Sequence, residues 1–321
     1  MEFLLNHSHE LIIKLIEQIY LVSIAVVIAV LIGIPLGVLA AHNRQVNFYV
    51  LSISGILQTI PSLALLAFLL PLLGIGAKPA IVALALYALL PIVQNTVTGL
   101  KNIPADCFEA AQGIGFTPAQ RLRLIELPLA SPFIIAGIRT ATIISVGIAT
   151  LAAFIGAGGL GDFINRGLAL NSTPYLLLGA IPAAMLALLL DYIIYRIELR
   201  LRRRVTATKK NTLLLTTITV LIILLVVYLI TAVTNHKNTI KIASKNFSEQ
   251  FIISEVMAQL IEAKTALHVQ RQFNLGTTDI AQQALTAGQI DLYPEYTGTA
   301  YLTILHLPYT GANAATVYNT V

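Results

Sequence analysis

Long intervals without a single ionisable Asp, Glu, Lys or Arg side chain dominate this sequence. Gln18–Asn43, Pro79–Leu100, Thr140–Gly161, Gly167–Leu190 and Asn211–His236 are all free of these residues, and Gln45–Ala77 is another such gap. Each exceeds the ~20 residues that a helix needs to cross a hydrocarbon core. Only 11% of the 321 residues are charged and 57% are hydrophobic, against roughly 25% charged in a soluble domain. Most of the chain must therefore face lipid, and backbone polarity then requires helices. The first interval has no basic leader, because Glu2, Glu10 and Glu17 precede it. It is expected to be a retained span and not a cleaved signal.

Basic residues set the orientation. With the segment carrying Glu109 in the cytosol, the inside loops hold Arg44, Lys101, Arg121, Arg123, Arg196, Arg200, Arg202, Arg203, Arg204, Lys209 and Lys210. The short outside loops then hold only Lys14, Lys78 and Arg166. This bias predicts an outside N-terminus, a fifth span ending in the Arg-rich stretch, and a sixth that carries the chain out again near Thr234. The Arg202–Arg204 cluster is read as an anchor beside anionic lipid, with ionic-strength sensing as the alternative. The basic pI near 9.3 thus needs no nucleic acid.

Spans two to five contain many Gly, Pro and Ser residues, among them Gly55, Pro61, Pro91, Gly137, Ser145, Gly147 and Pro182. Small residues let helices approach closely, and prolines kink them where neighbours re-satisfy the backbone. The pattern suits either a bundle that rocks or a static one. The sixth span, Leu213–Val233, has no Gly or Pro and reads as a tether. The Gly156–Gly161 run before Asp162 predicts an outside loop or re-entrant turn. Cys107, alone in the sequence, excludes an internal disulfide and reads as a filler thiol.

Between the third and fourth spans lies a polar segment with Glu109-Ala110-Ala111, then Gly115, Ile125 and Leu127-Pro128. Ala and Gly allow close approach of a partner, while Glu109 can pair with a basic residue. The spacing E-A-A-x3-G-x9-I-x-L-P resembles the cytoplasmic coupling motif of bacterial ATP-binding-cassette (ABC) importer permeases. The resemblance implies a short helix docking into a cleft of a cytoplasmic ABC ATPase, with Glu109, Ala110, Ala111 and Gly115 at the contact. It also implies a homodimer, since two ATPase sites need two docking loops. No phosphate-binding G-x-x-x-x-G-K-[ST] loop occurs in the chain. The chain is accordingly expected to be a non-catalytic subunit without a cofactor or metal of its own, ATP and Mg being bound by the ATPase.

After Asn238 the texture becomes that of a soluble α/β domain. Strands are predicted at Thr239–Ala243, His268–Phe273 and Gln289–Leu292. Helices are predicted at Glu249–Ala263, with Ser248 as N-cap, and at Thr278–Ala287 before Gly288. Phe251, Ile252, Val256, Leu260 and Ile261 are expected to form the buried face of the first helix. Alternation of this kind favours a parallel sheet with its ligand site at the strand C-terminal ends. Lys245-Asn246-Phe247, Gly276–Asp279 and Tyr293–Thr299 fall there. Tyrosine faces attract quaternary ammonium groups and Lys or Thr donors suit a carboxylate; a betaine carries both.

The stretches Ser244–Gln250 and Asp291–Thr299 resemble the binding protein of osmoprotectant importers for glycine betaine, carnitine and choline. The resemblance implies Tyr296 as a wall of an aromatic cage, Lys245 and Thr299 on the carboxylate end, and Asp279 near the cationic head. Tyr293 is either a second contact or a core tyrosine. Such binding proteins have two lobes, and the tail accounts for only the first, so the sequence is expected to be a fragment of a longer fusion.

The expected architecture is a mainly α-helical integral membrane protein of the bacterial plasma membrane. It comprises a five-span permease core (1–204), a basic linker with a sixth tethering span (205–238), and a truncated extracytoplasmic α/β segment (239–321). The expected function is the permease of an osmoprotectant importer. The alternatives are a membrane-anchored ligand-sensing receptor and a permease for another small solute such as an amino acid.

Overall fold

A computed structural model describes residues 7–204, 239–273, 275–308, 311 and 313–321. The expected sixth span, Leu213–Val233, and the linker around it lie outside the described residues. Helix α1 (Ser8–His42) is followed by α2 (Arg44–Thr59) and α3 (Ser62–Leu73), then by α4 (Ala77–Lys101). Short α5 (Ala105–Gly113) and α6 (Pro118–Arg121) lead through a π turn (Leu122–Glu126) into α7 (Leu127–Ala152). Helices α8 (Gly161–Ala169) and α9 (Thr173–Arg204) complete the bundle.

Among the described residues four helical segments are long and apolar enough to span a membrane, or five if the α2–α3 pair counts as one. The pair is bent by 98°. The break falls at Ile60-Pro61, where Pro61 lacks an N–H and holds Ile60 in the extended backbone that precedes a proline. Outward-facing Leu31, Phe68, Leu72 and Leu188 are each more than two-thirds exposed, as expected of surface that meets acyl chains.

Helix α4 is the buried centre, flanked by α1 and α7. Without a hydrophobic driving force between helices in lipid, close backbone approach must hold them. Two glycines make that approach possible. A Cβ at Gly37 of α1 would lie 2.6 Å from the Thr96 Cβ of α4, and one at Gly137 of α7 would lie 2.8 Å from the Pro91 carbonyl oxygen of α4.

At the N-terminal end of α1 a polar layer ties the bundle together. Lys14 pairs with Asp162 at 2.5 Å and with Glu17 at 3.0 Å, and Arg166 pairs with Glu10 at 2.8 Å. The Glu17 carboxylate accepts the Gly159 N–H (2.8 Å), and the Gln18 carbonyl accepts that of Leu160 (3.2 Å). The Gly156–Gly161 run is thus a turn pinned to α1, and α8 begins at its last glycine.

The tail carries β1 (Thr239–Ala243), α10 (Ser248–Lys264), β2 (His268–Gln272) and α11 (Thr278–Thr286). Strands β1 and β2 are parallel, with Ile242 opposite Arg271. The expected third strand is reduced to a single parallel bridge, Ile242 to Leu292. The ladder stops because the chain turns off at Tyr293-Pro294, where proline has no N–H to donate. Ser248 does not cap α10; Phe247 holds that position, and the Ser248 hydroxyl lies 3.4 Å from the Ala169 carbonyl oxygen instead.

The expected buried face of α10 is also corrected. Gln250, Phe251, Ser254 and Ala258 are buried, whereas Ile252, Val256 and Leu260 are each more than half exposed. Ser254 faces inward because its hydroxyl donates to the Ala243 carbonyl at the end of β1 (2.9 Å). The helix packs through Phe251, Ser254, Ala258 and Ile261, which leaves the other aliphatic side chains outward.

The interhelical contacts predict opposite outcomes for two glycines of α7. Gly137→Val should sharply lower the yield and melting temperature of detergent-solubilised protein. Gly147→Ala, where an added Cβ meets nothing within 4 Å, should leave both unchanged in fluorescence-detected size-exclusion melting.

Candidate functional sites at the two ends of the bundle

The Glu109 segment is built from local signals. Pro104 is the N-cap of α5, and the helix ends in a Schellman motif. Gly115 has φ +80° and its N–H donates to the Gln112 carbonyl (3.0 Å), while the Phe116 N–H donates to that of Ala111 (3.0 Å). A left-handed residue is needed there, which gives the motif glycine a conformational reason. Thr117 and Gln120 then form a capping box with Pro118 in the first turn, so a new helix starts at once.

The arrangement leaves Glu109, Ala110, Ile114 and Gly115 exposed and turns Ala111 into the bundle. Ile125 and Leu127 are half-buried and Pro128 is exposed. Cys107 is half-buried against Leu100, Ile103 and Ala130 and has no special surroundings. The result is a compact helical knob with two carboxylates, Asp106 and Glu109, on its surface.

Two sets of charged residues escaped the sequence reading. Arg139 of α7 makes a two-pronged ion pair with Asp191 of α9 (2.5 and 2.9 Å), with Glu198 at 3.6 Å and the Tyr195 ring 4.8 Å away. Arg139 stands about 18 Å along α7 from Leu127 at ~1.5 Å per residue, within the span. Intramembrane charges are rare and are paired or face protein or water. The charge-free intervals began one residue after Arg139 and ended one before Asp191, so the pair marked their edges and went unread as a pair. Glu126, which the motif spacing leaves unspecified, is 1% exposed.

In the tail, three loops converge at the C-terminal ends of the strands. The Leu275 N–H donates to the Ser244 carbonyl (2.9 Å), and the Asn246 N–H to that of Gly276 (3.2 Å). Lys245 is 1% exposed and forms an ion pair with Glu295. Its ammonium lies 3.3 Å from the Thr278 hydroxyl, 5.1 Å from the Tyr296 ring centroid and 5.7 Å from that of Phe247. Lys245 and Tyr296 are therefore brought together, with Tyr296 37% exposed.

Of the other tail residues singled out from the sequence, Tyr293 adjoins Glu295, the partner of Lys245. The Tyr293 hydroxyl donates to the Gln282 side-chain carbonyl of α11 (3.1 Å). Burial, reinforced by the Glu295 charge, pushes the phenol up to about 12. Asp279 is exposed in the first turn of α11, and Thr299 is half-buried at the end of a short helical run, Thr297–Thr299. Glu295, Thr278 and Phe247 join the site without having been singled out. Glu295 could have been found as the one carboxylate within Tyr293–Thr299.

The tail rests on the bundle. The Ile75 N–H donates to the Gln289 side-chain carbonyl (2.7 Å), and Ile75 packs against Leu275. These contacts and the Ser248–Ala169 contact lie at the α1 N-terminal end. The Glu109 knob lies at the other end, beside His42.

A helical bundle with the Glu109 knob at one end and a binding-protein-like α/β segment at the other is the architecture of a membrane subunit of an ABC importer. Residues 33–207 match the family described as the binding-protein-dependent transport system inner membrane component, and residues 238–319 match the substrate binding domain of the ABC-type glycine betaine transport system. The chain belongs to that inner membrane component family. It is a multi-pass bacterial permease that works with a cytoplasmic ABC ATPase.

The chain is 48% identical over 200 residues to the choline transport system permease protein OpuBB of Bacillus subtilis (strain 168), covering 62% of this chain and 92% of the relative. It is 47% identical over 194 residues to the glycine betaine/carnitine/choline transport system permease protein OpuCB of the same organism, covering 60% and 89%. Among solved structures, an inward-facing MetNI methionine ABC transporter aligns with TM-score 0.56 and 26% identity, over 60% of this chain and 95% of that one.

The tail also carries an acid-sensitive clamp. Arg271 of β2 holds Glu255 (2.9 Å) and Glu262 (2.8 Å) of α10. The Arg271 hydrogen bond holds the Glu262 carboxyl below its ordinary value of 4.5. A lowered value means the contribution to stability is present above pH 4.5 and is lost as pH falls through the folded-state value. Thermal unfolding of the tail, followed by circular dichroism between about pH 6 and about pH 3, should show this loss. Glu262→Gln should flatten the dependence.

Proposed function

We propose that this chain forms the membrane pathway of an ATP-driven importer for quaternary-amine osmoprotectants such as glycine betaine, carnitine and choline, and carries its own capture segment. In this reading residues 1–204 are a five-span permease core, 205–238 a linker with a sixth span, and 239–321 the first lobe of a binding domain. The N-terminus and the tail are extracytoplasmic, and the Glu109 knob is cytosolic. Two copies of the chain pair so that two knobs meet two ATPase subunits in the plasma membrane.

The polarity of the bundle carries the reading. The 35 residues of α1 span ~52 Å at 1.5 Å per residue. Contacts to the betaine-binding-like tail cluster at one end of this rod and the coupling knob at the other. That separation is what an importer needs and a ligand-sensing receptor does not. Glu109, Ala110 and Gly115 contact the ATPase, while Ala111, which the resemblance places with them, is buried and packs the knob onto the bundle; half-buried Ile125 and Leu127 join it to the start of α7, where Pro128 lies exposed. Tethering keeps captured solute at high effective concentration above the pathway.

In the tail, the Tyr296 ring faces the ammonium group of the solute. Lys245 and Thr299 serve its carboxylate, and Asp279 and Tyr293 stand at the margins. Lys245 is already neutralised by Glu295, so a solute carboxylate has to displace that partner.

Two variants test the reading in proteoliposomes containing the permease and its ATPase. Glu109→Lys should abolish betaine uptake and betaine-stimulated ATP hydrolysis while betaine binding persists. Tyr296→Ala should weaken betaine binding roughly 5- to 30-fold, the equivalent of a cation–π contact of about 1–2 kcal/mol. Uptake that survives Glu109→Lys would refute the coupling role. Undiminished binding by Tyr296→Ala would refute the solute site.

A further inference from the structure

The coupling motif specifies Ile125 and Leu127 and leaves the residue between them free. That residue, Glu126, has the least exposed carboxylate at this end of the bundle, its side chain being 2% exposed. Burying a carboxylate is unfavourable unless it is paired and hydrogen-bonded, and its two oxygens take partners from different elements. Oε1 accepts the Arg121 Nε–H at 2.7 Å from the end of α6. Oε2 lies 3.0 Å from Nε2 of His42, the last residue of α1.

The His42 ring fixes the chemistry of that contact. Its Nδ1 lies 2.9 Å from the Val38 carbonyl oxygen. A carbonyl and a carboxylate both accept, and a neutral imidazole donates from only one nitrogen. The imidazolium donates from both and satisfies the whole arrangement. The charged groups bearing on it are Glu126 and Arg121, and Arg44 opens the next helix two residues on.

Two further observations give this cluster a mechanical character. Glu126 closes the π turn Leu122–Glu126, a widened helical turn of a kind frequent at functional sites. Beside it lies a groove of about 260 Å³ between the last turn of α1 (Val38, Leu39, His42) and Pro118, Arg121 and Leu122. The ionic contact crosses this groove directly, beside an apolar cluster in which Val38 and Ala41 of α1 and Phe108 of α5 share the core of Leu100, Ile103 and Ala130.

We propose that Glu126, with His42 and Arg121, is the joint that carries displacement of the coupling knob into α1. Glu126 is a positioning residue, and the inference rests on the Glu109 knob receiving the ATPase, as proposed above. Helix α1 is continuous from this joint to the Lys14–Asp162 and Glu10–Arg166 pairs at its far end. A pull at His42 is thereby delivered to the layer on which the tail rests.

The test measures betaine taken up per ATP hydrolysed by the permease–ATPase complex in proteoliposomes. Glu126→Gln and His42→Gln should assemble with the ATPase and bind betaine, yet lower that ratio at least about fivefold. His42→Lys, which keeps a cation, should restore most of it.

Should Glu126→Gln fail to assemble, the half-exposed His42→Gln and His42→Lys variants decide alone. A normal ratio in His42→Gln, or a ratio in His42→Lys no higher than in His42→Gln, overturns the joint. If Glu109→Lys abolishes uptake while the His42 variants are neutral, only the joint falls. If Glu109→Lys is itself neutral, the coupling reading falls with it.

Discussion

Backbone-to-backbone approach around α4 holds the bundle. In a bilayer the lipid chains are as apolar as leucine, so helices gain from one another mainly what close contact provides. Gly37 and Gly137 bring α1 and α7 against adjoining parts of α4, where even a methyl group would collide with Thr96 or Pro91. With the centre fixed in this way, the ends of the helices are free to carry charge. Both polar layers use α1, one at Glu10–Gln18 and one at His42.

The intramembrane pair Arg139–Asp191 follows the same logic in a harsher setting. Burying two charges is repaid only when geometry is good and the remaining hydrogen-bonding capacity is used. The guanidinium meets Asp191 with two parallel bonds, rests on the Tyr195 ring and has Glu198 within reach. These groups join α7 to α9, helices that otherwise touch through aliphatic side chains. The pair therefore sets the register of α9 along α7, a specificity that interchangeable leucines do not provide.

Much of the architecture was legible because it rests on local or compositional signals. Charge-free intervals report spans directly, and the capping box at Thr117 and the glycine at 115 are readable one residue at a time. What stayed hidden depends on partners far along the chain. Ile252, Val256 and Leu260 looked like a core stripe, yet α10 packs through Phe251, Ser254, Ala258 and Ile261. The third tail strand failed at Pro294 after a single bridge. Glu126 was invisible because its importance comes from His42, which lies 84 positions earlier. Lys245 and Tyr296 could be placed on one side of a sheet from the sequence, but the closure of Lys245 onto Glu295 required the folded tail.

That closure has a consequence for any anion reaching Lys245. A cation left bare inside a protein is heavily penalised, and Glu295 removes the penalty by pairing with it. Under the proposed reading a solute carboxylate would compete with this internal rival, so grip is weakened but unloading strands no naked charge.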